Sequence, residues 1–383
     1  MPQLFPSTAS IGPLCVMDAR RKFSCADFVD KYIKENVSMT KKIVKIIGVE
    51  EHVVFPDLFA RLEQESHAWN VFTARTQATT VGLAKIRSTT VGEQRLKDMD
   101  DSGVAMQVLS TVGAVNSTHC PKHDPKEGVR LARDINDAMK AAVDTNPTRY
   151  KAFAELPFHE PEEAIKELHR CVKELGFLGA MLSGSVCGNG RYLDSPEFDA
   201  VLSAFEELDV PLYLHPGVPP KAVWDTYYKI QDKPVLSAAF GLAGWGWHSE
   251  VAIHLLRLAL SGTLDRHRKL KIIVGHQGEM MPPMMHRFDT IYNPPAAFGL
   301  ERPVTEMLRS QVWVAISGFF SIPPTMTLIA TWGVDRVLFA NDYPFVAADK
   351  VQDYIRRLGD MVSPLDLEKI CHRNAESLLR LES

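Results

Sequence analysis

Three ionisable side chains interrupt an apolar run at residues 46–54, which read IIGVEEHVV. An ionised carboxylate in an apolar setting is strongly destabilising unless it is paired with an opposite charge or bound to a metal. On a β-strand, Glu50 and His52 project from one face because they lie two residues apart, whereas Glu51 projects from the other. We therefore expect Glu50 and His52 to act together, and Glu51 to need a partner on the opposite side of the strand.

Further ionisable side chains end three later apolar runs. His215 follows PLYL, His276 follows KLKIIVG, and Asp342 follows RVLFAN. Imidazole and carboxylate groups bind divalent cations: two nitrogens with two oxygens suit Zn²⁺, and carboxylate-rich sites also take Mn²⁺ or Mg²⁺. Taken singly, each residue has a structural explanation, as a hydrogen-bonded histidine or a turn aspartate. The prediction of a metal site therefore depends on their occurring together.

The elements that must position these residues are eight apolar segments separated by helix-like stretches. Buried strands alternating with helices indicate parallel pairing, and eight such repeats favour a closed (β/α)₈ TIM barrel over an open sheet. Active sites of such barrels lie at the carboxyl ends of the strands, so we expect the strand-end residues to meet at one mouth. The predicted strands are 43–53, 104–110, 150–157, 178–184, 211–217, 269–276, 311–319 and 336–342.

The chain is longer than the ~250 residues of a typical barrel of this type, so we expect loop insertions. The best candidates are 56–100 and 217–250. We expect one barrel domain over residues 43–383, preceded by an N-terminal extension over residues 1–42 that is either disordered or a docking arm. The extension lacks the uninterrupted apolar core of a secretory signal.

A second pair of histidines, His119 and His123, flanks Cys120 in the loop after the second predicted strand. Loop spacing alone is a weak indication of metal binding. We expect this loop to contribute to a substrate pocket, with a second metal site as the alternative.

The bulk composition excludes several classes of function. A formal net charge of −4 over 383 residues gives no electrostatic reason to bind nucleic acid or an anionic membrane surface. No apolar stretch reaches the ~20 residues of a membrane helix. The 6 cysteines are scattered without a CxxC pair, so we expect reduced thiols and a cytoplasmic protein.

Four motifs occur in order on the first, fifth, sixth and eighth predicted strands: VEEHV, LYLHPG, GHQGEMMPPMMHRFD and FANDYPF. Together they resemble the amidohydrolase-related (amidohydrolase 2, ACMSD-like) decarboxylases. The resemblance is closest to γ-resorcylate and 2,3-dihydroxybenzoate decarboxylases, and aminocarboxymuconate semialdehyde decarboxylase is more distant. It runs from about residue 43 to the C-terminus, and the GHxGE core on the sixth strand is its most specific element.

This resemblance implies a role for each motif. The metal ligands that it implies are Glu50, His52, His215 and Asp342. The catalytic residues that it implies are Asp342, His276 and Glu279. The substrate contacts that it implies are Arg287 of HRFD and a tryptophan of AGWGW, for which we take Trp245 rather than Trp247.

The implied reaction is the non-oxidative, metal-dependent decarboxylation of an ortho-hydroxy aromatic acid. Asp342 would protonate the ring carbon that bears the carboxyl group before CO₂ leaves, and the His276–Glu279 pair would orient the substrate. No organic cofactor is expected, the partner is a small aromatic acid, and the assembly is a homodimer or homotetramer. The alternative is a metal-dependent hydrolase of a lactone or amide, in which Asp342 is the general base for a metal-activated water.

Overall fold

The computed structural model describes residues 44–61, 67, 70, 71, 74, 91–111 and 124–381. The expected extension over 1–42 and the histidines His119 and His123 lie outside these residues. Most of the expected insertion at 56–100 also lies outside them.

Parallel strands form the inner layer of the described chain. Two short strand segments are separated only by Phe153, and we count them as one strand, β3. The described chain then has eight strands. Each strand overlaps one of the eight predicted segments, although most are shorter than predicted, and neighbouring strands pair in parallel register. The strands are β1 (Ile46–Val53), β2 (Val104–Thr111), β3 (Tyr150–Ala152 and Ala154–Glu155), β4 (Ala180–Ser183), β5 (Leu212–His215), β6 (Ile272–Val274), β7 (Val312–Ala315) and β8 (Val337–Leu338).

Backbone hydrogen bonds join the first strand to the last. The amide of Val49 donates to the carbonyl of Phe339 over 3.1 Å, and the amide of His52 donates to the carbonyl of Tyr343 over 2.7 Å. The first half of β3 pairs with β2, and its second half pairs with β4. The sheet therefore closes on itself, and the predicted (β/α)₈ barrel is confirmed.

Helices connect the strands and form the outer layer. Several begin with proline at the first turn, where its missing amide costs no helical hydrogen bond. In the described residues no helix combines the length and the apolar character that crossing a bilayer requires. The α-helical segments are α1 (Pro56–Phe59), α2 (Glu93–Ser102), α3 (Pro125–Thr145), α4 (Pro161–Lys173), α5 (Asp199–Leu208), α6 (Lys221–Val223), α7 (Pro234–Gly241), α8 (Gly246–Leu260), α9 (Thr263–Arg266), α10 (His276–Glu279), α11 (Met285–Ile291), α12 (Val304–Gln311), α13 (Ile322–Trp332), α14 (Asp349–Gly359), α15 (Pro364–Glu368) and α16 (Asn374–Leu379).

Two apolar clusters lie on the two sides of the barrel wall. Ile47 and Val49 belong to the interior cluster, together with Tyr213 and Ile273, whereas Ile46 packs with the surrounding helices. This division follows from the strand period of two, which sends successive side chains to opposite faces. The interior cluster supports the floor beneath the strand-end residues.

The expectation of reduced thiols holds for Cys171 and Cys371 but not for Cys187. Cys171 and Cys371 are buried free thiols, and burial raises the pKa of Cys371 to about 12. Cys187 is disulfide-bonded, so for this residue the expectation is wrong.

Candidate metal centre

A bulge in β1 decides which way its charged residues face. Strict alternation after Val49, which points inward, would turn Glu50 outward. The pairing of β1 with β2 shifts register between Gly48 and Glu51, and such a bulge re-aims the side chains that follow it. Glu50 consequently reaches the barrel interior, where the hydroxyl of Tyr213 donates to its Oε2.

Three imidazole rings surround the other oxygen of Glu50. The Nε2 atoms of His215, His276 and His52 lie 3.2, 3.5 and 3.8 Å from its Oε1. Asp342 completes the group: its Oδ1 lies 3.3 Å from Nε2 of His52, and its Oδ2 lies 3.8 Å from Nε2 of His276. Side chains from the ends of β1, β5, β6 and β8 therefore converge on one small volume, hereafter the Glu50 cluster.

Hydrogen bonds behind the rings fix which nitrogen faces the cluster. Nδ1 of His52 and Nδ1 of His215 lie 3.2 and 2.8 Å from backbone carbonyl oxygens, and Nδ1 of His276 lies 2.8 Å from Oε1 of Glu279. Carbonyl and carboxylate oxygens only accept, so Nδ1 carries the hydrogen and the Nε2 of each neutral ring presents a lone pair. All three lone pairs point toward the same carboxylate oxygen.

This arrangement fits a divalent cation. Oε1 of Glu50 is buried and has no hydrogen-bond partner among the described residues. Leaving such an atom unsatisfied costs about 1–3 kcal/mol, and facing it with ring lone pairs adds repulsion. The ligand atoms of Glu50, His215 and His276 lie within 4.8 Å of one another, as do those of Glu50, His52 and Asp342. Imidazole nitrogens mixed with carboxylate oxygens are a donor set for Zn²⁺ or Mn²⁺.

The electrostatics of the protein alone lead to the same conclusion. Burial opposes ionisation of Glu50, but His276, His215 and His52 hold its pKa well below the usual range. Burial opposes the charged form of His52, yet Asp342 and Glu50 raise its pKa to about 9. The cluster alone thus keeps its carboxylates ionised by drawing protons onto His52 and His276, whereas burial lowers the pKa of His215, and a bound cation would supply that positive charge instead.

Glu51 faces the helical layer and fixes the turn that carries Asp342. Its Oε1 accepts from the amide of Asn341 over 2.9 Å, and its Oε2 accepts from the amide of Tyr343 over 3.2 Å. Asp342 lies between these two amides with φ of 60°, a left-handed conformation that costs about 1–3 kcal/mol. Burial raises the pKa of Glu51 to about 8, although the two amides and Arg95 oppose the rise. Glu51 therefore has its partner and holds the aspartate in place.

The chain turns sharply after β6. Every residue from His276 to Met280 has positive φ, between 48° and 85°, so α10 is not a regular right-handed helix. This turn brings Glu279 back to His276, three residues earlier. Strained backbone of this kind persists where the surrounding structure over-determines it, often at functional sites.

Two glycines let the neighbouring strands approach the cluster. A Cβ on Gly275 would lie 2.5 Å from Oε2 of Glu50, and a Cβ on Gly318 would lie 2.5 Å from Cδ2 of His276. Gly318 also has φ of 76°, which disfavours any other residue. The positions of Glu50 and His276 therefore depend on glycine at both points.

Glu279 is shared between two histidines. Its Oε1 accepts from Nδ1 of His276 over 2.8 Å, and its Oε2 lies 2.7 Å from Nδ1 of His248. Burial alone would raise the pKa of Glu279, but His276 and His248 lower it. Glu279 is therefore an ionised carboxylate with a histidine at each oxygen.

The structure does not bring all expected substrate contacts to the cluster. Trp245 is 50% exposed and Arg287 is exposed on α11; within the described residues neither has a hydrogen bond or ring contact to the cluster. Trp247, the alternative, lies beside it, with its ring centroid 6.3 Å from that of His215. The geometry therefore favours Trp247 over Trp245 as the aromatic neighbour.

Two residues of the site were missed from the sequence. Tyr213 had a usable signal, because it precedes His215 by two residues on the same strand and so shares its face. His248 had none, since it meets Glu279 only through the packing of α8 against the turn after β6.

A closed α/β barrel with histidines and carboxylates gathered at the carboxyl ends of its strands defines a metal-dependent barrel enzyme. The amidohydrolase family model matches residues 67–381. The chain belongs to the amidohydrolase family, and the resemblance inferred from the four motifs is confirmed.

Its similar proteins are carboxy-lyases. Decarboxylase orsB of Emericella nidulans is 32% identical over 340 residues, which cover 88% of this chain and 97% of that protein. The γ-resorcylate decarboxylase of Rhizobium radiobacter is 34% identical over 301 residues, covering 76% of this chain and 88% of that protein. Dihydroxybenzoic acid decarboxylase from Polaromonas sp. JS666, a crystal structure with bound manganese and the inhibitor 2-nitroresorcinol, has a TM-score of 0.74 and 29% identity, covering 88% of this chain and 97% of that one.

Proposed function

We propose that this protein is a metal-dependent decarboxylase that removes CO₂, without an oxidant, from an ortho-hydroxy aromatic carboxylic acid of the hydroxybenzoate type. The observation that carries the proposal is the unpartnered Oε1 of Glu50, faced by three histidine Nε2 atoms and accompanied by Asp342. The similar decarboxylases support the choice of decarboxylation over hydrolysis.

One divalent ion would be held by Glu50, His52, His215 and Asp342. A bound cation would supply Lewis-acid polarisation of the oxygens of the acid. Zinc is the prediction from the donor set, and manganese occupies the related Polaromonas structure. Elemental analysis of the purified protein distinguishes the two metals.

Asp342 is the proposed acid. Asp342 is ionised in the substrate-free cluster, so it first takes up a proton as the substrate acid displaces it. This proton is then transferred to the ring carbon that bears the carboxyl group, which removes the aromaticity of the ring. The bond to the carboxyl carbon then breaks, CO₂ leaves, and the bonding electrons restore the aromatic ring. Asp342 recovers a proton from solvent, so the net reaction consumes one proton and releases one CO₂.

His276 and Glu279 act on the substrate side of the cluster. Glu279 holds the Nδ1 hydrogen of His276, so the ring presents a fixed Nε2 toward the reacting acid. His276 also lines a cavity of about 390 Å³ with His248, Gln277 and Phe319, a size within the range of small-molecule sites. The apolar wall of this cavity suits an aromatic ring.

Contacts outside the cluster stay predictions. The resemblance implies that Arg287 and Trp245 contact the substrate, and the position of Trp247 beside His215 supports this tryptophan as a further candidate. The homodimer or homotetramer and the cytoplasmic location are likewise predictions. Light scattering on the purified protein and fractionation of the source cells test them.

The central test combines metal analysis with two substrate panels. We expect one divalent ion per chain and release of CO₂ from at least one ortho-hydroxybenzoate, while the meta- and para-hydroxy isomers stay intact. Release of acid from a lactone, with no CO₂ from any hydroxybenzoate, would overturn the proposal in favour of a hydrolase.

A further inference from the structure

His248 is an ionisable side chain that the proposed reaction does not yet use. It lies in the first turn of α8, next to Trp247 and outside the four motifs that define the family resemblance. We propose that His248 is a positioning residue for the reaction, which fixes Glu279 and through it the orientation of His276. This inference rests on the proposed function, since it deepens the role of the His276–Glu279 pair.

The first step concerns the second oxygen of Glu279. The residue has no exposed surface, and a buried carboxylate is stable only when its oxygens are compensated. His276 compensates Oε1, and Nδ1 of His248 lies 2.7 Å from Oε2. Without His248, one carboxylate oxygen would remain buried without the donor that it now faces.

The second step concerns how firmly His248 is held. Its Nε2 lies 3.1 Å from the carbonyl oxygen of Ala243, just ahead of α8. Both ring nitrogens thus lie at hydrogen-bonding distance from oxygen atoms. The ring is fixed at two points and sets the angle of the Glu279 carboxylate.

The third step connects Glu279 to the cluster. Glu279 accepts the Nδ1 hydrogen of His276, whose Nε2 lies 3.5 Å from Oε1 of Glu50 and 3.8 Å from Oδ2 of Asp342. If the carboxylate loses its second donor it is free to turn, and His276 loses the acceptor that fixes its ring. A misoriented His276 ring would lower kcat more than it would weaken substrate binding, because this ring acts where the substrate reacts.

A second histidine of α8 provides a matched control. His254 is as deeply buried as the site residues, at 2% exposure, but its Nε2 accepts from the amide of Leu193 over 3.1 Å. It supports the loop after β4 and makes no contact with Glu279. A general weakening of α8 would therefore appear in a His254 variant as well.

The experiment compares His248→Ala, His248→Asn and His254→Gln with the wild type, measuring kcat, KM, metal content and the imidazole N–H resonance of His276. The resonance is recorded on ¹⁵N-histidine-labelled, zinc-loaded protein and needs no substrate. We expect His248→Ala to lower kcat by about tenfold to a hundredfold, as for loss of one hydrogen bond to a charged group. KM and metal content should stay near wild type, and the His276 resonance should shift.

The asparagine variant keeps a side-chain donor close to the position of Nδ1, so it should recover most of kcat, and His254→Gln should keep the wild-type kcat and resonance. If His248→Ala fails to fold, His248→Gln replaces it. The glutamine side-chain amide would lie near the position of Nε2, so it would not take over the contact that Nδ1 makes with Glu279. The inference is overturned if the kcat of His248→Ala, or of its replacement His248→Gln, stays within about twofold of wild type. It is also overturned if the His276 resonance does not move. If the wild type decarboxylates no acid, the proposed function fails, and the resonance alone still decides the role of His248.

Discussion

Glu50 and Glu51 are adjacent on β1 and both are fully buried, yet their surroundings are opposite. Glu50 faces ring nitrogens on the inner side of the barrel, and one of its oxygens has no donor. Glu51 faces backbone amides and Arg95 on the outer side, and both of its oxygens accept hydrogen bonds. The first environment fits a cation, whereas the second is complete within the protein. A buried carboxylate therefore indicates function through its unsatisfied oxygen rather than through its burial.

Replacing the carboxyl group by an amide at these two positions should produce the largest difference. Glu50→Gln should lower metal content and CO₂ release by more than about a hundredfold, because a metal ligand matters at least as much as the groups that support ligands. Glu51→Gln should retain the metal while losing about 1–3 kcal/mol of unfolding free energy, since one buried amide loses its acceptor. Inductively coupled plasma analysis after dialysis and urea unfolding measure the two effects. Equal loss of metal from both variants would contradict the comparison.

Asp342 is linked to both glutamates. Its side chain faces the Glu50 cluster, and Glu51 holds the turn that carries it. Asp342→Asn should lower kcat by about 10²- to 10⁴-fold, as for loss of a general acid. Metal content should stay largely intact, because Glu50, His52 and His215 remain. Asparagine tolerates the left-handed backbone at this position, so the turn should be kept. An active variant, measured by CO₂ release, would remove Asp342 from the proposed role of acid.

The outline of the site was predictable from the sequence, because strand-end residues of a parallel barrel share one mouth whatever their exact register. The eight apolar runs, and the positions of His215 and Asp342 at their ends, needed only period and spacing. The inward direction of Glu50 was right for a reason that the sequence did not contain, since the bulge after Gly48 restores it. His248 could not be predicted, because its contact with Glu279 depends on how α8 packs.

A substitution at Gly275 tests the inner side of the barrel around Glu50 through steric overlap rather than through charge. Gly275→Ala should reduce metal affinity and lower unfolding free energy by about 1–3 kcal/mol, as for overpacking in a well-packed interior. The added Cβ would lie 2.5 Å from Oε2 of Glu50 and 2.8 Å from Oγ of Ser317. Gly92→Ala is the matched control, since no atom of the described residues lies within 4 Å of its Cβ position. Thermal unfolding with and without added metal measures both, and equal behaviour of the two variants would contradict the steric argument.

Glu155, at the end of β3, extends the comparison because burial raises the pKa of its carboxyl as it does that of Glu51. Burial raises its pKa from 4.5 to about 8, and a hydrogen bond from the Thr111 hydroxyl, 2.7 Å long, only partly opposes the rise. The folded state therefore binds a proton that the unfolded state releases, so the stability gained is complete below pH 4.5 and is lost as the pH rises toward about 8. Glu155→Gln cannot titrate, so its unfolding midpoint should fall less than that of the wild type across this window. Parallel slopes for the two proteins would mean that the Glu155 carboxyl titrates alike in the folded and unfolded chains, and would contradict the argument from burial.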